Sequence, residues 1–281
     1  MFRFIHSSDL HIGKRFGNMP EELRGRLRDA RHTVLDRLAE QARIAGVMLP
    51  GNHDSLLADE LWTAARAALP GNVVLATEPE PILLEPGIAL LPAPCTTRRP
   101  GRDLTEWMDR VATPEGALRI GLAHGAIQSF SEDGSGLDII APYRASRAGL
   151  DYLALGDWHG QMAVNTRSWY SGTPEPDRFK HDEPGRALLV ALPGPGALPE
   201  VAPVETGSFA WRSLFLELLS GDDAAAALAA ELPAGAARRQ TLLRVVASGR
   251  LRPAARMALE AGIAAVAPEF ADLQLDSEAL A

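Results

Sequence analysis

Leu49-Pro50-Gly51-Asn52-His53-Asp54 is the stretch on which the reading of this chain turns. Val47, Met48 and Leu49 make a short apolar strand that breaks at Pro50-Gly51 into three consecutive polar residues. Polar groups at the carboxyl end of an apolar strand suit the edge of an α/β sheet where ligands bind. Asn52 offers a neutral oxygen, His53 a nitrogen or a proton, and Asp54 a charge. Such a set serves a metal and a phosphate better than it serves packing. Taken alone, the same residues also fit an ordinary surface turn.

The chain has 281 residues, 46% hydrophobic and 23% charged, enough for one large domain and a smaller one. Its single cysteine, Cys95, excludes an internal disulfide and a thiolate zinc cluster, which points to a reducing, cytoplasmic setting. The first residues run straight into a strand pattern with no signal-peptide leader, and no apolar stretch reaches the ~20 residues of a membrane span. A net charge of −8 argues against a general electrostatic nucleic-acid binder. It leaves room for a nuclease, because bound cations and local arginines draw phosphates to one cleft. The arginine groups (Arg24, Arg26, Arg28 and Arg31; Arg98, Arg99 and Arg102; Arg144 and Arg147) read first as solvated faces.

Working outward, Phe2 to His6 reads as a buried strand ending in Ser7-Ser8-Asp9-Leu10-His11. Asp9 and His11 are two apart, so an extended backbone turns both to one side. Pro20-Glu21-Glu22 starts a helix that runs to about Ala45. A second helix is expected over 59–69, and strands over 72–75, 82–84 and 88–91. A short helix follows over 104–111. The strand 118–123 delivers His124-Gly125, and the loop 129–136 follows. The strand 152–155 delivers Gly156-Asp157-Trp158-His159, and Trp169 to Thr173 is a strand entering a tight loop. A strand covers 187–192. The Pro/Gly run from Pro193 to Pro199 is the best domain boundary. Beyond it come strands over 212–218 and 240–247, helices over 222–232 and 253–266, and an apolar-periodic tail through Phe270, Leu273, Leu275 and Leu280.

Any one Asp-x-His is an ordinary polar strand end. His11, His53, His124 and His159 all fall at strand ends beside Asp9, Asn52 and Asp157, and that recurrence points to a metal site. His181 is a weaker candidate, while His6 and His32 read as a strand and a helix residue. Oxygen and imidazole donors without thiolate suit Mn²⁺, with Fe²⁺, Zn²⁺ or Mg²⁺ as alternatives. Two such ions ~3.5–4 Å apart would clamp a phosphate for in-line attack by metal-bound hydroxide.

Asp9-x-His11, Gly51-Asn52-His53-Asp54, His124-Gly125 and Gly156-Asp157-x-His159 resemble, in order, the motifs of calcineurin-like metallophosphoesterases. Ser7 to Lys14 and Tyr170-Ser171-Gly172-Thr173-Pro174 look like the SbcD-type DNA repair exonucleases among them. The resemblance covers about residues 1 to 190. It implies an α+β fold, with a two-layered β-sandwich flanked by helices over 1–192, a linker over 193–203 and a small α/β capping domain over 204–281. It implies a hydrolase that cleaves DNA phosphodiesters with two divalent ions, Mn²⁺ first. Asp9, His11 and His159 would hold one ion, and Asn52 and His124 the other. His53 would assist the leaving oxygen, with Asp54 orienting the loop or His53. Lys14, Arg15, Ser171 and Thr173 would meet substrate. The partners implied are DNA and an SbcC-like coiled-coil ATPase, engaged by helices beyond the capping domain, with a homodimer also implied.

Two departures matter. Position 157 is Asp where the resemblance expects a metal-binding His, and a harder anionic oxygen shifts preference toward Mn²⁺ or Mg²⁺. The motif Gly-Asp-x-x-Asp, which supplies the carboxylate bridging both ions, is absent between the first long helix and Gly51. Either residues are missing between Gly46 and Val47, or the protein is a deletion, or Asp157 takes over part of the bridging role. Two other functions compete with the nuclease: a small-molecule or cyclic-nucleotide phosphoesterase, which the acidity favours, and a catalytically impaired scaffold, which the absent motif favours.

Overall fold

The computed structural model describes residues 1–42, 46–127, 139–180 and 182–281. The expected helix end near Ala45, the 129–136 loop and His181 lie outside the described residues. The elements in the first half are β1 (Phe2–His6), α1 (Glu21–Ala42), β2 (Gly46–Met48), α2 (Asp59–Ala68), β3 (Val73–Leu75), β4 (Ile82–Glu85), β5 (Ile88–Ala93), β6 (Leu118–His124) and α3 (Arg144–Arg147). Then come β7 (Tyr152–Gly156), β8 (Met162–Ala163), β9 (Ser168–Tyr170), β10 (Arg186–Leu192), β11 (Glu200–Glu205), β12 (Ala210–Leu218), α4 (Ala224–Glu231), α5 (Gly235–Arg238), β13 (Thr241–Gly249), α6 (Pro253–Val266) and β14 (Asp272–Leu280). The fold is mixed α and β. Among the described residues the strands form four sheets.

The chain divides into two compact units. The first comprises 1–10, 35–174 and 186–206, and the second 11–34, 175–185 and 207–281. The heart of the first unit is a six-stranded sheet in the order β4-β5-β6-β7-β9-β8. Within it β5, β6, β7 and β9 run parallel, so their carboxyl ends share one edge. Ile88, Leu118, Ile120 and Tyr152 from this sheet share a buried core with Leu188, Val190 and Leu192 from the antiparallel sheet β1-β10-β11. Leu91, Ala123, Leu153 and Leu155, with Met108, Ile127 and Ile140, make a second core in the same unit. Near-continuous apolar strands are what a sheet covered on both sides requires. Gly46 and Val47 are consecutive residues of β2, paired parallel with Val73 and Val74.

In the second unit β12, β13 and β14 form a parallel sheet whose Leu216, Leu218, Leu243 and Val245 pack with Leu228 of α4 and Leu259 and Ile263 of α6. Asp223 caps α4, its carboxylate accepting the Ala226 N–H at 3.0 Å. A further core joins Leu23, Leu27 and Ala30 of α1 to Phe16, Phe209, Trp211 and Leu242.

Several elements differ from expectation. The helix expected over 104–111 is a 3-10 turn over Glu106–Asp109, because Asp103 takes the Thr105 N–H and hydroxyl and fixes a local turn instead. The Pro193–Pro199 run connects β10 and β11, which pair antiparallel from Arg186↔Glu205 to Ala191↔Glu200, so proline and glycine here make a hairpin turn. The apolar-periodic tail is strand β14, paired with β13. Two arginines read as solvated are interior. Arg31 is fully buried, and Arg144 spans Asp103 and Asp109 at 2.7 and 2.6 Å. Their acids come from distant segments, so local charge spacing does not reveal them.

His6 is a buried polar residue of the first unit. Its Nδ1 lies 3.0 Å from the Tyr152 hydroxyl and its Nε2 3.2 Å from the Leu155 carbonyl. A carbonyl only accepts, so Nε2 carries the proton and Nδ1 accepts from Tyr152. Burial lowers its pKa from 6.5 to about 4, against the opposing pull of Leu155 and Asp9. The unfolded chain takes up this proton below about 6.5, while the folded protein does not until about 4. Stability from His6 is therefore complete above pH 6.5 and is lost as pH falls toward 4, by about 3 kcal/mol. Urea midpoints of the wild type and His6→Gln across that window check this. The variant should show the shallower pH slope, and equal slopes would refute the assignment.

Candidate metal centre

The site is built where strands end. β1 leads into Asp9, β2 into Asn52, β6 ends on His124, and β7 ends on Gly156 just before Asp157 and His159. β6 and β7 are paired so that His124 stands opposite Gly156. The Asn52 loop is pinned by its surroundings. Cys95 N–H donates to the Pro50 carbonyl at 3.1 Å, and Trp62 Nε1–H reaches the Asp54 and Ser55 carbonyls at 3.0 and 3.1 Å. Cys95 Sγ also lies 3.4 Å from the His124 carbonyl.

The side chains converge. Asp9 Oδ1 is 3.9 Å from His124 Nε2 and 3.9 Å from His159 Nε2. His124 Nε2 is 3.1 Å from Asn52 Oδ1 and 3.8 Å from Asp157 Oδ1. Asn52 Nδ2 donates to Asp157 Oδ1 at 3.0 Å, and the Asp157 backbone N–H donates to Asp9 Oδ2 at 3.0 Å. Glycine makes the room. A Cβ at Gly156 would stand 2.7 Å from His124 Nδ1, and one at Gly51 3.1 Å from the same ring.

Asp9 and Asp157 both have left-handed backbones, with φ of 52° and 103°. Such strain persists only where the surroundings over-determine it, and it clusters at functional sites. Here the surroundings are visible. Thr173 Oγ1–H donates to the Asp9 carbonyl at 3.0 Å, Ser171 Oγ–H to Ser8 Oγ at 2.9 Å, and the Thr173 N–H to the His159 carbonyl at 3.0 Å. Ser171 and Thr173 are buried, and their hydroxyls hold the Asp9 loop. Tyr170 OH–Gly125 carbonyl, at 2.8 Å, secures the turn after His124.

The surroundings hold Asp9 in its charged form. Burial pushes the Asp9 carboxyl up, but His124, His159, the Asp157 N–H and Ser8 together hold it below the usual range. Asp157 is pushed up by burial and by Asp9, with His124, His53 and Asn52 opposing. Carboxylate and amide oxygens beside imidazole nitrogens, with a buried anion between two histidines, fit a divalent ion. Asp9 and His159 of the first unit belong to a group of donors that could hold a metal ion.

His53 is exposed and within electrostatic reach of Asp157. The Asp54 side chain is exposed, and its carbonyl serves the Trp62 bond. Arg15 is exposed. In the second unit, His11 Nδ1 and Lys14 Nζ lie 2.9 and 3.0 Å from Asp177 Oδ2. Asp177 is the residue that motif spacing does not reveal. Its carboxylate is 1% exposed, takes Arg178 Nε at 3.0 Å, and has Arg31 at 3.4 Å. Burial raises its pKa, while His11, Arg31 and Lys14 pull it far below the normal carboxylate range. Its only sequence signal is position: an acid between Pro176 and Arg178, just past the Tyr170–Pro174 turn.

Searched against protein-family models and curated proteins, the chain matches none. No described helix is long and apolar enough to cross a membrane.

Proposed function

We propose that the chain is a calcineurin-like metallophosphoesterase of the SbcD type, a Mn²⁺-dependent DNA phosphodiesterase of repair. The observation that carries this is the convergence of Asp9, Asn52, His124, Asp157 and His159 at strand ends in one unit. In this reading the two facing sheets of the first unit are the family's sandwich, and the β12–β14 sheet with its helices is the capping domain. Asp9, His11 and His159 hold one divalent ion, and Asn52, His124 and Asp157 the other. Bound ions supply charge to neutralise a phosphodiester and acidify a water. His53, exposed beside Asp157, gives the leaving oxygen a proton or stabilises its charge. DNA and a coiled-coil ATPase are the proposed partners, in a cytoplasmic setting.

The test is cleavage of linear and hairpin DNA in Mn²⁺, beside p-nitrophenyl phosphate and cyclic nucleotides. His53→Ala is expected to lower DNA cleavage by about 100- to 10,000-fold with Mn²⁺ content unchanged. Undiminished cleavage removes His53 from the chemistry. A second reading, a non-catalytic scaffold for the ATPase, is favoured by the absent Gly-Asp-x-x-Asp motif. It predicts one ion or none in metal analysis and no turnover of any phosphoester.

A further inference from the structure

We infer that Asp9 is the carboxylate shared by both metal positions, filling the place left by the absent bridging motif. The inference rests on the two-ion reading above and concerns which residue joins the ions. Donor atoms bound to one cation at ~2.0–2.2 Å are at most about 4 Å apart. Asp9 Oδ1 meets that limit twice, 3.9 Å from His124 Nε2 and 3.9 Å from His159 Nε2. These histidines belong to opposite positions: His124 keeps company with Asn52 at 3.1 Å and Asp157 at 3.8 Å, while His159 is grouped with Asp9.

The rest of Asp9 is arranged to leave that one oxygen in place. Oδ2 accepts the Asp157 N–H at 3.0 Å, the Asp9 carbonyl accepts Thr173 Oγ1–H at 3.0 Å, and φ is held at 52°. The side chain is 2% exposed. Asp157 is the other carboxylate in reach. Its Oδ1 accepts from Asn52 at 3.0 Å and its side chain is 32% exposed, which places it on the His124 side. An anion between two like cations lowers their repulsion. Asp9 supplies it from the first motif of the chain, which explains how a centre for two ions persists without Gly-Asp-x-x-Asp.

Mn²⁺ titrated into metal-free protein tests this by calorimetry and by electron paramagnetic resonance. Wild type should bind two ions with a spin-coupled spectrum. Asp9→Asn should weaken both ions by at least about 100-fold, beyond the usual loss from a merely orienting partner. Asp157→Asn should weaken one ion only. The inference is overturned if Asp9→Asn keeps one ion at wild-type affinity, or if two ions in the wild type give uncoupled six-line spectra. Should Asp9→Asn fail to fold by circular dichroism, the wild-type spectrum decides. DNA cleavage is scored separately: coupled ions without cleavage would remove the nuclease reading and keep Asp9, and cleavage with uncoupled ions would do the reverse.

Discussion

Gly156→Ala is expected to weaken Mn²⁺ binding by at least about 100-fold while leaving the sheets formed. The added methyl would stand 2.7 Å from His124 Nδ1 and 2.9 Å from Ser8 Cβ, closer than real Cβ contacts come. The space that a Cβ at Gly51 would fill, 3.1 Å from the same ring, is the room left to the imidazole. His124 must turn away from Asn52 and Asp9, or the Ser8–Asp9 loop must move, and either breaks the cluster. Overpacking of this kind also costs about 1–3 kcal/mol. Calorimetric Mn²⁺ titration with thermal unfolding separates the two effects. Wild-type affinity in this variant would show that His124 is not held for a metal. Gly51→Ala, with its looser 3.1 Å approach, should act in the same direction and less strongly.

Asp177→Ala should destabilise the protein by about 3–5 kcal/mol in urea unfolding. Asp177 and Arg31 are 1% and 0% exposed and 3.4 Å apart, so removing the carboxylate takes an anion from beside a buried guanidinium. Lys14→Met, which removes a partner that is 33% exposed, should cost far less. Asp177→Asn probes a second role. A carboxylate only accepts, so His11 Nδ1 carries the proton in this pair and the ring is oriented by it. Loss of that orientation typically lowers metal affinity by about 10- to 100-fold. Nitrogen chemical shifts of His11 should report the Nδ1–H form in the wild type and a mixture in the variant. A wild-type His11 in the Nε2–H form would refute the orienting role.

The converging side chains were legible because each sits where an apolar run ends, and strand ends are readable from hydrophobicity alone. Asp9, Asn52, His124, Asp157 and His159 were all readable in this way. Asp177, Arg31 and Arg144 were not, because the partners that bury them arrive from segments 35 to 166 residues away. The bonds of the Ser171 and Thr173 hydroxyls to Ser8 and Asp9 depend on tertiary packing that no spacing rule supplies. Pro193 to Pro199 was legible as a turn, while whether a turn links strands or domains depends on what pairs after it.

The two units are interleaved along the chain, which passes between them after residues 10, 34, 174, 185 and 206. No single cut separates them. A protease nick or stop codon after Thr206 would leave Phe16, Leu23 and Leu27 without Phe209, Trp211 and Leu242, their partners in one core. The C-terminal segment therefore cannot be shed, grafted or exchanged as a cassette. Inheritance and engineering alike must treat this protein as one indivisible piece.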